Sequence, residues 1–234
     1  MSVRGLQLDD VVLLGRTFEE YRTYFGLGDG DLRDARVLDM GSGVSSFGAE
    51  ARAAGYDVTG ADPIYGAEPD RLAQKCRADL ADVVAKLPAV APNYVWGGFY
   101  RDIPDLQRQR ETAYRRFLAD YDPASPRYVP AALPATGFAD RQFTLTLVSH
   151  FLFLYDDRLD YAFHKASLLE LGRITDGEVR IFPLANLRAE PSAHVARFLD
   201  DVDRPRWRIE TRPVDFEFLK GSGEMLVLDT RASR

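Results

Sequence analysis

A glycine loop between a strand and a helix is the first feature of this sequence that can do chemistry. The apolar run 35–40 predicts a buried strand, Gly41–Gly43 a loop, and residues 45–54 a helix. A second short strand, 57–61, is followed at once by Asp62. Glycines let a backbone approach a ligand closely, and the first amides of a helix have no partner inside it. The pattern therefore predicts a ligand site at the carboxyl ends of these strands.

A histidine follows another strongly predicted strand, 142–149. His150 stands directly after its last residue, where an imidazole can act as a base near neutral pH. A structural histidine between strand and helix is an equally good interpretation. His164 lies within a predicted helix, 156–171, which favours a structural role.

The elements around these residues alternate between strand and helix. Further helices are predicted at 9–25 (capped by Asp9 or Asp10), 68–86, 105–121 and 192–202, and further strands at 127–132, 178–184, 206–212 and 225–229. The last two strands are predicted to form an antiparallel pair. This order predicts an α/β fold with a mostly parallel seven-stranded sheet and helices on both faces. We expect one domain over residues 1–234, with an N-terminal helical cap (1–31) and an insertion (about 87–126) over the active site.

Three short motifs resemble those of the class I S-adenosylmethionine (SAM) dependent methyltransferases. Residues 37–43, Val-Leu-Asp-Met-Gly-Ser-Gly, resemble the first motif of that family. Residues 58–62 resemble the strand that presents an acid to the cofactor ribose, and residues 145–153 resemble the fourth strand and the loop beneath the methyl donor. The family has a Rossmann-like fold with the same antiparallel ending. The resemblance implies that SAM is the cofactor and is held by a set of seven residues: Asp39, Gly41, Ser42, Gly43, Asp62, Leu133 and Ser149.

The sequence departs from the family pattern at three places. The region 129–134 contains no acid near the expected adenine position, Thr144 stands where the family often has Asp, and a serine replaces the third glycine of the first motif. These departures favour, as an alternative, an enzyme of this fold that has lost methyl transfer.

Methyl transfer from a sulfonium needs a positioned acceptor and the removal of one proton. His150, Tyr65 and Asp62 are the catalytic candidates. The candidates for substrate binding are Tyr21, Tyr24, Tyr100, Arg115, Arg116 and Tyr155. For the tyrosines the alternative is packing, and for the arginines it is a solvated helix face paired with acids such as Glu111.

Composition limits the classes of partner. The net charge is −6, without a basic stripe or nucleic-acid module, so we expect no nucleic-acid substrate. Cys76 is the single cysteine, no apolar run reaches bilayer-spanning length, and the N-terminus lacks a signal-peptide core. The sequence thus predicts a cytoplasmic protein with no membrane partner and no metal site.

Three functions remain open at this point. The first is a SAM-dependent methyltransferase of a small molecule, such as a natural product. The second is a non-methylating enzyme that catalyses elimination or ring closure of a substrate with an anionic leaving group. The third is a non-catalytic binding subunit whose aromatic insertion, around Trp96 and Phe99, contacts a partner protein; a homo-oligomer is also compatible with the sequence.

Overall fold

Seven strands form one sheet in the computed structural model, which describes residues 5–8, 11–201 and 207–233. The strands are β1 Arg36–Met40, β2 Asp57–Ala61, β3 Tyr128–Val129, β4 Phe143–Ser149, β5 Thr175–Phe182, β6 Arg208–Pro213 and β7 Glu224–Asp229. Their order is β3-β2-β1-β4-β5-β7-β6. Strand β7 is antiparallel to both its neighbours, whereas β1 to β5 run parallel. The predicted mostly parallel Rossmann-like sheet with an antiparallel hairpin is confirmed.

Helices cover both faces of this sheet. They are α1 Phe18–Phe25, α2 Asp29–Leu32, α3 Phe47–Ala53, α4 Pro69–Val90, α5 Ile103–Asp120, α6 Tyr161–Ile174 and α7 Ala193–Leu199. Alternate residues of a strand point to opposite faces. Accordingly Val37 and Leu147 pack with α1 and α3, whereas Leu38 and Val148 pack with α6 and α7. In the described part of the chain, no helix has the length and apolarity that a bilayer crossing requires.

The N-terminal segment differs most from its prediction. Helix α1 begins only at Phe18, because Thr17 and Glu20 form a capping box there. Residues 11–17 have no regular secondary structure, and we call them the strap. The predicted caps Asp9 and Asp10 lie outside the described residues. Over residues 11–32, the structure therefore has an irregular strap followed by two short helices where the sequence predicted a helical cap.

Other boundaries differ by smaller amounts. The predicted strand 127–132 is reduced to the two residues of β3. Helix α6 begins five residues later than predicted, because the Asp160 side chain accepts from the Phe163 amide and caps it there. Helix α7 ends at Leu199, while Val202 and Arg206, the predicted ends of two elements, fall outside the described residues.

Candidate functional site

The glycine loop lies between the ends of β1 and β2. The amides of Gly41 and Ser42 donate to Ala61 O, at 2.8 and 3.3 Å, and the Gly43 amide donates to Asp62 Oδ2 at 2.9 Å. Gly41 and Gly43 have φ angles of +71° and +52°, in the region that favours glycine. A Cβ on Gly43 would meet no atom within 4 Å. The loop is thus tied to β2 while Gly43 borders open space.

Asp62 presents a carboxylate beside this loop. Its Oδ1 accepts from the Ile64 amide at 3.1 Å, so each oxygen already holds one backbone donor. Burial raises the pKa of Asp62, and the two amide hydrogen bonds act in the opposite direction. Each carboxylate oxygen keeps a free lone pair that can accept a hydrogen bond from a hydroxyl group.

Tyr65 supports the loop from behind. Its hydroxyl donates to Gly43 O at 2.8 Å and lies 2.6 Å from Ser42 Oγ. The ring packs among Phe117, Tyr121 and Tyr128, and the residue borders neither cavity described below. The expectation of a catalytic Tyr65 is therefore corrected, because its hydroxyl is engaged by the loop that it holds in place.

A buried pair lies under the same loop. The Tyr21 hydroxyl donates to Asp39 Oδ1 at 2.9 Å, and the Tyr21 ring stacks on Phe47 with centroids 4.2 Å apart. Both residues are about 1% exposed, and neither borders a cavity. The structure therefore places the expected cofactor contact Asp39 and the expected substrate contact Tyr21 in the core, where they position β1 and α1.

The buried pair gives a pH-dependent prediction. Burial, with a smaller contribution from the charge of Asp62, raises the pKa of Asp39 to about 8 despite the hydrogen bond from Tyr21. In the unfolded chain this pKa is about 3.9. The protonated carboxyl therefore stabilises the fold fully below about pH 4, and this stabilisation is lost as pH rises through 8. Asp39→Asn keeps an acceptor for Tyr21 and cannot ionise. We expect its stability relative to wild type to increase from pH 5 to pH 8 in urea unfolding, and an unchanged difference would contradict this assignment.

An open cavity of about 390 Å³ lies above the loop. Its volume falls within the roughly 300–1,000 Å³ of small-molecule sites. Six of the seven residues that the family resemblance implied for the cofactor border it: Gly41, Ser42, Gly43, Asp62, Leu133 and Ser149. The seventh, Asp39, lies beneath. The structure thus places the glycine loop after β1, the acid after β2 and the end of β4 around one cavity.

The strap forms a wall of this cavity. The Arg16 amide donates to Ser45 Oγ at 3.1 Å, and Arg16 O accepts from the Ser46 amide at 2.9 Å. Gly15 lies so close to the loop that a Cβ there would be 2.2 Å from Val44 O. The sequence suggested free amides at the start of α3, but the strap carbonyl already binds the Ser46 amide.

A second, smaller cavity of about 100 Å³, which we call the apolar cavity, adjoins the first. Its walls are mainly aliphatic, and it is also bordered by aromatic residues: Tyr24, Tyr94, Tyr100, Tyr155, Phe216 and Phe218. The two cavities share Val12, Leu14, Arg16 and His150. Of the expected substrate contacts, Tyr24, Tyr100 and Tyr155 therefore do border a cavity. The aromatic insertion packs inward on Phe216 and Phe218.

A buried ion pair closes one side of the apolar cavity. Arg110 donates to Glu20, to the Tyr100 hydroxyl and to Gly15 O, and the side chains of Arg110 and Glu20 are 4% and 0% exposed. The Tyr24 hydroxyl donates to Glu20 Oε1 at 2.7 Å. Burial alone would raise the pKa of Glu20, but the charge and hydrogen bonds of Arg110 outweigh it and lower that pKa.

Arg115 and Arg116 are not part of this site. Their side chains are 72% and 53% exposed, and they pair with Glu111 at 3.8 Å and Glu50 at 2.8 Å on the solvent side of α5. The expectation that they contact substrate is corrected, because neither borders the two cavities, whereas the smaller one is bordered by Arg110 of the same helix. The sequence held a signal for it, because Arg110 falls in the buried stripe of α5, which also contains Leu106, Ala113, Tyr114 and Phe117.

His150 lies where the two cavities meet. Its φ is +52°, a value that costs free energy for a residue other than glycine, and such strain concentrates at functional sites. Its Nδ1 is 2.9 Å from Ser149 Oγ. Burial, followed by the charges of Arg16 and Arg110, lowers the pKa of His150 well below its usual value. The imidazole is therefore neutral at neutral pH, and Nε2 presents a lone pair when Nδ1 donates to Ser149.

Comparisons with known proteins give one relative over nearly the full length. No family model matches the chain. Uncharacterized protein MJ0045 of Methanocaldococcus jannaschii is 40% identical over 227 residues, which cover 97% of this chain and 99% of MJ0045.

The solved structures that are similar to this chain have lower sequence identity to it than MJ0045 has. PH0226 protein from Pyrococcus horikoshii is 12% identical, covering 90% of this chain and 89% of that chain, with a TM-score of 0.45. A SAM-dependent methyltransferase from Methanosarcina mazei is 12% identical, with 83% and 92% covered and a TM-score of 0.42. Magnesium protoporphyrin IX methyltransferase from Synechocystis, with bound SAM, is 14% identical, with 91% and 90% covered and a TM-score of 0.41.

The order and direction of the seven strands in this structure, with β7 alone antiparallel, determine the fold assignment. The fold is class I methyltransferase-like, and by its similarity to MJ0045 the chain belongs to the same protein family as that protein.

Proposed function

We propose that this protein is a SAM-dependent methyltransferase that acts on a small, largely apolar molecule. The observation that supports this most directly is the pair of adjoining cavities. One has the glycine loop and a carboxylate, and the other is smaller and lined mainly by apolar side chains. They meet at His150, so a group transferred between two ligands would pass beside a neutral imidazole.

The residues of the open cavity fit SAM. The space beside Gly43 admits a ligand against the backbone. Asp62 has lone pairs free for the ribose hydroxyls, and Ile64 and Leu133 provide apolar surface for the adenine ring. When bound, SAM supplies an electrophilic methyl group on a sulfonium sulfur.

The residues of the protein bind the acceptor and remove its proton. The apolar cavity holds the acceptor, and the strap excludes water from the junction. His150 Nε2 accepts the proton of an acceptor hydroxyl or amine, a role for which a neutral imidazole is suited at physiological pH. His150 and the ends of β4 and β5 are held together, since the His150 amide donates to Phe182 O at 2.7 Å.

Isothermal titration with SAM and S-adenosylhomocysteine (SAH) tests this function. We expect both to bind the wild type with micromolar affinity or better. Asp62→Asn keeps one acceptor oxygen but loses the charge, so SAH affinity should fall about 10- to 100-fold, as for loss of a charge-assisted hydrogen bond. Asp57→Asn is the matched control, because Asp57 begins the same strand, is half exposed and pairs with Arg127.

The outcomes separate the functions. Unchanged SAH affinity in Asp62→Asn would remove Asp62 from the cofactor site. A folded wild type that binds neither compound would refute methyl transfer and favour the non-methylating alternative. In that case Asp62 and His150, at the same cavities, become the candidate general bases.

A further inference from the structure

Arg16 lies at the junction of the two cavities and has no carboxylate partner in the described part of the chain. Its guanidinium donates to Leu14 O, and its buried Nε has no hydrogen-bond partner. Among the described residues no carboxylate forms an ion pair with it. A buried guanidinium donor that is left unsatisfied costs free energy, and a ligand can supply the missing acceptor.

The other charges around the cavities are already balanced or engaged. Arg110 is paired with Glu20, and Lys75, at the open cavity, pairs with Asp79 at 3.0 Å. Asp62 accepts two backbone amides and faces the proposed ribose position. Among the described residues that border both cavities, Arg16 is therefore a cation with no carboxylate in an ion pair with it.

We propose that Arg16 binds the carboxylate of the methyl acceptor, so that the acceptor is a compact apolar carboxylic acid. This inference rests on the proposed function, because it assigns the open cavity to SAM. SAM carries two positive groups and one carboxylate, so its binding increases the positive charge at the junction. An anionic acceptor neutralises that charge, whereas a neutral one does not.

The volume of the apolar cavity indicates the size of the acceptor group that it holds. This volume of about 100 Å³ is somewhat below that of an engineered cavity of about 150 Å³ that binds benzene. One ring or a short branched chain fills it, with the carboxylate remaining at the junction. There Arg16 and His150 face the same molecule, so Arg16 orients the acceptor through its carboxylate. His150 takes the proton of a second group on the acceptor, a hydroxyl or an amine, whose oxygen or nitrogen receives the methyl group.

Ligand titrations can test this assignment with probes of matched shape. SAH-loaded protein is titrated with benzoate, phenylacetate and cyclohexanecarboxylate, and with the uncharged amide of each. We expect at least one acid to bind the wild type about 10- to 100-fold more tightly than its amide. Arg16→Gln should abolish this preference and change SAH affinity less than twofold, while Arg16→Lys should retain part of it. Arg77→Gln, on the exposed side of α4, is the control of equal charge change.

Each other outcome has a defined meaning. If no acid binds the wild type more tightly than its amide, or if the preference survives in Arg16→Gln, the proposal is wrong. If Arg16→Gln weakens SAH binding tenfold or more, Arg16 holds the carboxylate of the cofactor and the acceptor assignment is overturned. Titrating the acids into SAH-free protein keeps this test separate from the proposed function, whose failure appears as absence of SAH binding.

Discussion

Arg110→Met should lower the free energy of unfolding by about 3–5 kcal/mol, as expected when one partner of a buried ion pair is removed. Glu20 is fully buried, so the substitution leaves its carboxylate without a counter-charge. The substitution also removes the donors to Tyr100 and Gly15 O. Urea unfolding at neutral pH measures the change.

Two further variants test whether the loss of stability comes from the unpaired charge of Glu20. Arg108→Met, on the same helix, removes an exposed arginine whose partner Asp105 keeps Arg101, so its cost should stay within about 1 kcal/mol. Adding Glu20→Gln to Arg110→Met removes the unpaired charge and should recover a large part of the lost stability. If Arg110→Met were no more destabilised than Arg108→Met, the ion pair would have no structural importance.

Gly15→Ala should displace the strap from the glycine loop. The added Cβ would lie 2.2 Å from Val44 O and 2.9 Å from Val44 C, and both atoms belong to the backbone and cannot rotate away. We expect a loss of up to about 3 kcal/mol in stability. We also expect SAH affinity to fall by about 100-fold, because one wall of the open cavity moves with the strap.

Amide exchange locates this displacement. The Arg16 and Ser46 amides, which hold strap and loop together, should lose protection in Gly15→Ala while amides of β4 keep theirs. Gly98→Ala is the control, because a Cβ there meets no atom within 4 Å and its φ is not positive. Wild-type protection at Ser46 in Gly15→Ala would show that the contact is not required.

Local patterns explain which parts of the fold could be predicted from the sequence. The strand before Gly41, the loop, α3 and β2 follow from apolar runs interrupted by glycines, and the structure has them within two residues of their predicted bounds. The positions of Gly41, Ser42, Gly43 and Asp62 beside one cavity follow from the parallel pairing of β1 and β2.

The strap could not be recognised by periodicity. Leu14 and Val12 fall near helical spacing, but in the structure these apolar side chains line the two cavities without forming a helix. The one local signal was the Thr17-x-x-Glu20 pattern, which places the start of the helix after Thr17.

Pairings between residues that are far apart in the sequence could not be predicted either. Glu20 and Arg110 are 90 residues apart, so charge alone could not distinguish Arg110 from Arg115 as the partner of Glu20. The same holds for Arg16, which forms no ion pair with a carboxylate among the described residues. Such an absence is visible only when the surrounding elements are in place.

The strap borders both cavities through Val12, Leu14 and Arg16, so under the proposed function it would link their binding equilibria. A ligand in either cavity would contact residues that the second ligand also contacts, so the conformational entropy of fixing them would be lost only once. By thermodynamic reciprocity, the factor by which the first ligand raises the affinity of the second equals the factor in the opposite direction. The dissociation of one product would then lower the affinity of the protein for the other product.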